Sequence, residues 1–179
     1  MIAIRTVACR LAFSLCALLA AGCASSGDNA ERSGADVAAM KEVVETRLDA
    51  LALEFGAVRD LDAQDAFGML EKHLAGNPEI YGAAFAFAPE EREGEVVKSS
   101  PYVFRAAGGL VRKDLAESYD YVSEQWYSRP VEIGRAVWSD PYFDEGGGDI
   151  WMITYSVPIY EPDSVLIGVL TSDLPTEAE

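Results

Sequence analysis

The hydrophobic period changes once along this chain, and that change limits what it can fold into. From Ala35 onward, Val37, Met40, Val44, Leu48, Leu51, Phe55 and Val58 recur at steps of three and four. This spacing puts one apolar stripe on a helix whose other faces carry charge. Gly56 weakens the pattern near its end. A second helical segment starts after Asp62 or Asp65, runs through Phe67, Leu70 and Leu74, and stops at Gly76-Asn77-Pro78. There the helical period is lost. Residues 80–88 (IYGAAFAFA) form an apolar and aromatic run bounded by Asn-Pro and Pro-Glu-Glu, as a buried strand does. Residues 102–105 read as a second strand before the Ala106-Ala107-Gly108-Gly109 turn, and 120–134 as a short helix or ordered loop. Three more strands are predicted at 135–143, 150–160 and 165–173. The first two are joined by Asp144-Glu145-Gly146-Gly147-Gly148-Asp149, and the last two by Glu161-Pro162-Asp163-Ser164. A long helix followed by five strands with hairpin links predicts an α+β fold with an antiparallel sheet.

The N-terminus speaks to compartment. Arg5 and Arg10 precede an apolar run from Leu11 to Ala21 that is too short to span a bilayer as a helix, and small residues lead to Cys23. This is the pattern of a secretory signal over residues 1–22. The cysteine after small residues resembles a bacterial lipobox, which implies lipidation at Cys23; ordinary cleavage at a small-residue site is the alternative. Residues 23–35 read as the lipidated cysteine and a flexible tether, 36–175 as one domain, and 176–179 as an acidic tail. Ala24, rather than an Asp, follows the cysteine, which favours the outer membrane over inner-membrane retention.

Cysteine and charge exclude whole classes of function. The three cysteines are Cys9, Cys16 and Cys23, so beyond residue 23 there is no disulfide, thiolate ligand or thiol nucleophile. The precursor carries 14 basic and 30 acidic residues, and removing the signal deletes two arginines and no acid. Such a field repels nucleic acid and anionic lipid. His73 is the single histidine, and it reads as an ordinary polar residue near a helix end. With no Gly-x-Ser-x-Gly, His-Glu-x-x-His, P-loop or dinucleotide fingerprint, an enzyme is not expected, and no cofactor or metal is implied. The acid-and-glycine run 144–149 lacks the ligand spacing and closing Glu of an EF-hand and reads as a plain flexible hairpin.

Six motifs carry a family resemblance. Asn77-Pro78-Glu79-Ile80-Tyr81-Gly82-Ala83-Ala84-Phe85 is followed by Tyr119-Asp120-Tyr121, then by Gln125-Trp126-Tyr127. Trp138-Ser139-Asp140-Pro141-Tyr142-Phe143-Asp144 and Thr154-Tyr155-Ser156-Val157-Pro158-Ile159 come next, and Gly168-Val169-Leu170-Thr171-Ser172-Asp173 closes the series. In this order they resemble a Cache domain, the PAS-like extracytoplasmic sensor of bacterial chemoreceptors and kinases, across residues 36–175. The resemblance implies a long N-terminal helix packed on a five-stranded antiparallel sheet, with a small-molecule pocket on the sheet's other face.

By that resemblance Trp126, Tyr127, Tyr142, Tyr155 and Asp173 line the pocket. The chemistry suits it: rings give apolar walls and cation–π faces, and one carboxylate can pair an amine. Each has a plainer reading as core, or for Asp173 as a strand-end cap. In amino-acid-binding members an arginine two residues before the Trp clamps the ligand carboxylate; here that position is Glu124, leaving Arg129 or Arg135 as substitutes or as surface charges. The expected function is an extracytoplasmic sensor or capture lipoprotein that binds an amine- or carboxylate-bearing metabolite and informs a membrane signalling partner. The alternative is an interaction module that keeps the fold with a filled pocket. The helix stripe would also suit pairing in a dimer, although packing on its own sheet is preferred.

Overall fold

The computed structural model describes residues 34–177; the expected signal, Cys23 and nearly all of the expected tether lie outside the described residues. The apolar stripe forms α1 (Gly34–Ala57), which buries Val44, Leu48, Leu51 and Phe55. Asp62 then caps α2 (Ala63–Gly76), its carboxylate accepting from the Gln64 and Asp65 amides at 2.8 Å. Those are two of the four amides a helix start leaves without internal partners. No helix among the described residues is long and apolar enough to cross a membrane.

Among the described residues nine strands follow: β1 (Gly82–Phe87), β2 (Glu90–Arg92), β3 (Glu95–Val97), β4 (Pro101–Ala106), β5 (Gly109–Asp114), β6 (Val137–Trp138), β7 (Tyr142–Phe143), β8 (Trp151–Tyr160) and β9 (Leu166–Pro175). All pairings are antiparallel. The main sheet runs β5-β4-β1-β9-β8-β6, with β7 also on β8, while β2 and β3 form a separate hairpin. Between β5 and β6 lie two 3-10 turns (Leu115–Glu117 and Tyr121–Ser123) and α3 (Gln125–Ile133), which ends at Gly134 with φ 65°.

The α+β class and the antiparallel sheet agree with the expectation, and five strands are full length, but the membership differs. β5 was not predicted: it is an edge strand, mostly exposed, and Arg112 and Lys113 interrupt any apolar alternation. The β2–β3 hairpin was missed for the same reason, since both strands are exposed throughout, β2 is wholly charged, and the hairpin turns on Glu93 and Gly94, both at positive φ. The single strand expected over 135–143 is two short pieces. Pro141, lacking an N–H, interrupts them, while Ser139 bridges to β8 through its amide on the Thr154 carbonyl (2.9 Å) and its hydroxyl on the Thr154 amide (2.9 Å).

Strand alternation divides the interior in two. One core lies between the helices α1 and α2 and the sheet, and takes Ala83, Phe85, Val103, Ile153, Tyr155, Ile159, Leu170 and Leu174 from the strands. The other lies between the sheet and α3 with its flanking turns, and takes Ala84, Ala86, Tyr102 and Val169 together with Tyr121, Trp126 and Tyr127. The second layer holds the candidate site.

Candidate functional site

Asp173 of β9 is the centre of the site. It is 3 % exposed and lies opposite Thr154 in the β8–β9 register, so both side chains point to the α3 face. Thr154 Oγ1 donates to Asp173 Oδ1 at 2.8 Å, and the Tyr142 hydroxyl lies 2.8 Å from the same Thr oxygen. The threonine has one proton and spends it on Asp173, so Tyr142 is the donor to Thr154. The Tyr102 hydroxyl stands against the same carboxylate but makes no hydrogen bond in this geometry. Gly82 makes that approach possible: a Cβ there would collide with the Tyr102 hydroxyl and sit 2.8 Å from Asp173 Oδ2.

A second acid faces this one. Asp144, 7 % exposed, heads the loop between β7 and β8. Its Oδ2 accepts from the Gly148 amide at 2.6 Å, and the Tyr119 hydroxyl lies 3.4 Å from its Oδ1. Tyr81 donates to the Gly148 carbonyl (2.9 Å) and Lys113 to the Gly146 carbonyl (2.5 Å). The run expected to be a plain hairpin is therefore tied over the site by side chains from β5 and the β1 entry. Among the described residues no group of three or more His, Cys, Asp or Glu is placed to hold a metal.

Electrostatics follow from burial. Asp173 is pushed up to about 8, first by loss of solvent and then by the Asp144 carboxylate, with the Thr154 bond working against both. Asp144 is also raised, chiefly by burial, and the Gly148 amide moderates the shift. The hydroxyls of Tyr102, Tyr119 and Tyr142 are driven well up by burial beside the two acids. Two carboxyl groups thus share a dry space with no ion pair to either among the described residues.

The sequence-predicted residues do not all meet there. Trp126, Tyr142 and Asp173 line one cavity of about 10 Å³, with Tyr119, Asp144 and Thr171 on its other walls. That is room for about one water. Tyr127 is buried but sits behind, packed edge-on against Tyr121 and Trp126 with ring centroids 5.3 and 6.2 Å away. Tyr155 is on the opposite face: its hydroxyl meets Asp49 of α1 at 3.4 Å and its ring packs on Trp138. Alternation requires this, because its neighbour Thr154 points at Asp173. His73 does lie in the last turn of α2, as expected, but it is buried rather than solvated. It is 7 % exposed, lies 3.0 Å from Ser172 Oγ of β9, and is lowered to about 4, chiefly by burial. Asp144 and Tyr119 stood inside motifs already singled out, but nothing in their spacing tied them to Asp173.

Residues 67–178 match the family model described as methyl-accepting chemotaxis protein-like, first PDC sensor domain, and the chain belongs to this family. It is a sensor domain of the PDC, or Cache, type. The extracellular domain of the candidate histidine kinase soHK1S-Z6 is 30 % identical with a TM-score of 0.68, over 78 % of this chain and 54 % of that one. Methyl-accepting chemotaxis protein X is 20 % identical (TM-score 0.64; 79 % and 57 % covered). The ligand-binding domain of the Campylobacter jejuni chemoreceptor Tlp3, in complex with L-valine, is 16 % identical (TM-score 0.61; 78 % and 54 % covered). The last two share the fold. The chain spans about half the length of these solved structures. No curated protein sequence matches it.

Proposed function

We propose that this chain is an extracytoplasmic, lipid-anchored sensor or capture protein that binds a small cation-bearing metabolite at Asp173, performs no chemistry on it, and reports its presence to a membrane signalling partner. One observation carries the reading: Asp173 and Asp144 are two buried carboxyl groups facing one cavity whose lining holds no basic side chain. An ammonium placed there would satisfy both, displace the Asp173 proton, and lie among the rings of Trp126, Tyr119 and Tyr142. The solved relatives, a kinase extracellular domain and a chemoreceptor domain in complex with L-valine, support a sensing role outside the cytoplasm. The signal-like residues 1–22 and Cys23 supply the anchor in this reading.

A cavity of about 10 Å³ also favours a second reading, in which the pocket is filled and the fold serves as an interaction module. The two separate in one experiment. The domain is screened by thermal shift and calorimetry against primary amines, diamines and amino acids, since a ligand that binds only the native state raises the melting temperature. A charge-assisted pair contributes about 1.5–3 kcal/mol, so Asp173→Asn should weaken binding roughly 10- to 100-fold. Equal binding by Asp173→Asn defeats the assigned role, and a blank screen transfers the case to the interaction module.

A further inference from the structure

A second cavity opens on the same face of the sheet, beside the first. It has a volume of about 120 Å³ and lies between α3, β6 and β8. Trp126 is the one side chain that lines both cavities. Two of its walls ask for a ligand. The Ser156 hydroxyl is 1 % exposed and is one of three buried side-chain polar atoms among the described residues without a hydrogen-bond partner. Arg129 of α3 reaches the rim, and none of the ion pairs among the described residues involves it. Leaving a buried hydroxyl unpaired costs stability, and a guanidinium fork matches a carboxylate in two parallel bonds. Asp140, exposed and also lining the cavity, keeps the pocket from being a general anion trap.

We propose that this cavity is a carboxylate subsite formed by Arg129 and Ser156, and that the ligand is a dipolar molecule with an amine at Asp173 and a carboxylate at Arg129. The amine half rests on the function proposed above. The strand sets the span: Thr154, which bonds Asp173, and Ser156 are two residues apart on one face of β8, about 7 Å along the strand. An α-amino acid carries both charges on one carbon and cannot reach across. An ω-amino acid with a chain of several methylenes can, with its apolar middle against the Trp126 ring. Arg135, the other arginine considered from sequence, does not line the cavity.

The test uses δ-aminovalerate, pentylamine and propionate on the soluble domain. δ-Aminovalerate should bind more tightly than either fragment. Arg129→Gln should weaken δ-aminovalerate about tenfold or more and leave pentylamine unchanged, whereas Asp173→Asn should weaken both. Ser156→Ala should weaken δ-aminovalerate severalfold while leaving the empty domain as stable as wild type or more so, because an unpaired buried hydroxyl is removed. Propionate probes the subsite alone: it should shift the indole resonances of Trp126, which lines the cavity, and not the indole N–H of Trp138, which Glu45 holds on the α1 side of the sheet, or that of Trp151. Arg129→Gln should abolish those shifts and Asp173→Asn should not. Loss of the amine effect with the propionate shifts intact fails the cation site and keeps the subsite. Propionate shifts or δ-aminovalerate affinity unaltered by Arg129→Gln overturn the subsite while the cation site stands. No binding by any of the three probes overturns the inference.

Discussion

Asp173 and His73 occupy opposite faces of β9's neighbourhood, and burial shifts them in opposite directions. His73, lowered from 6.5 to about 4, stays neutral in the native domain while the unfolded chain takes up a proton. Its contribution is complete above pH 6.5 and is lost as the pH falls toward about 4. Asp173, raised from 3.8 to about 8, stays protonated in the native domain while the unfolded chain ionises. Its contribution is complete below the ordinary carboxylate range and is lost as the pH rises through about 8. The histidine and Asp173 oppose each other between about pH 4 and 6.5, where the raised carboxyl of Asp144 works in the same direction as Asp173, and above 6.5 the histidine adds no further slope. Denaturant unfolding of the unliganded domain should therefore show stability falling from pH 6.5 to 8. In His73→Gln the fall should begin near pH 4, and in Asp173→Asn the decline above 6.5 should shrink clearly. Identical pH profiles for wild type and Asp173→Asn would mean that this carboxyl is ionised in the native domain. A cationic ligand reverses the trend, since it binds the ionised form and releases the proton on entry.

At the scale of elements, the site depends on how closely strands and loop approach one another. β1 presents Gly82, Ala84 and Ala86 to the α3 face, small residues that leave space for Tyr102, Trp126 and Asp173. Gly82→Ala would drive a methyl into the Tyr102 hydroxyl and the Asp173 carboxylate. Overpacking of this kind costs typically about 1–3 kcal/mol. A clear drop in melting temperature is expected, with weakened ligand binding even at temperatures where the variant is folded. An unchanged melting temperature would show that Tyr102 moves aside freely. Gly147 has the same role in the loop, where any Cβ would meet the Asp144 carboxylate. On the helix face the requirement is bulk: Leu48→Ala, at a position with no exposure, should cost about 2–5 kcal/mol in denaturant unfolding and leave the site geometry alone.

For the molecule as a whole, the domain holds together by packing, hydrogen bonds and a few exposed ion pairs, with no cysteine after residue 23. The anchor belongs to this scale. If Cys23 is lipidated in the native host, the wild type should partition into the detergent phase, and Cys23→Ser should leave uncleaved precursor or soluble protein. Immunoblots of membrane and soluble fractions decide it, and identical fractionation of the two forms would remove the lipid anchor from the proposed function.

Local periodicity was enough for α1 and α2, the hairpin links and the α+β class, because each rests on residues near in sequence whose spacing is physical; it left the start of α2 between Asp62 and Asp65, and 120–134 between a short helix and a loop, and the structure caps α2 at Asp62 and forms α3. The family motifs placed Trp126, Tyr142 and Asp173 in one neighbourhood, and the cavity contains all three. Edge strand β5 and hairpin β2–β3 were illegible, since an exposed strand needs no apolar face. Tyr155 was misplaced because the side of the sheet a residue occupies depends on register: Thr154 pairs with Asp173, so Tyr155 must face α1. The pairing of Asp144 with Asp173, the neutral buried state of His73 and the Arg129–Ser156 cavity were decided by tertiary structure alone. Each joins residues far apart in the chain, and only the packed sheet brings them close enough to share one dielectric environment.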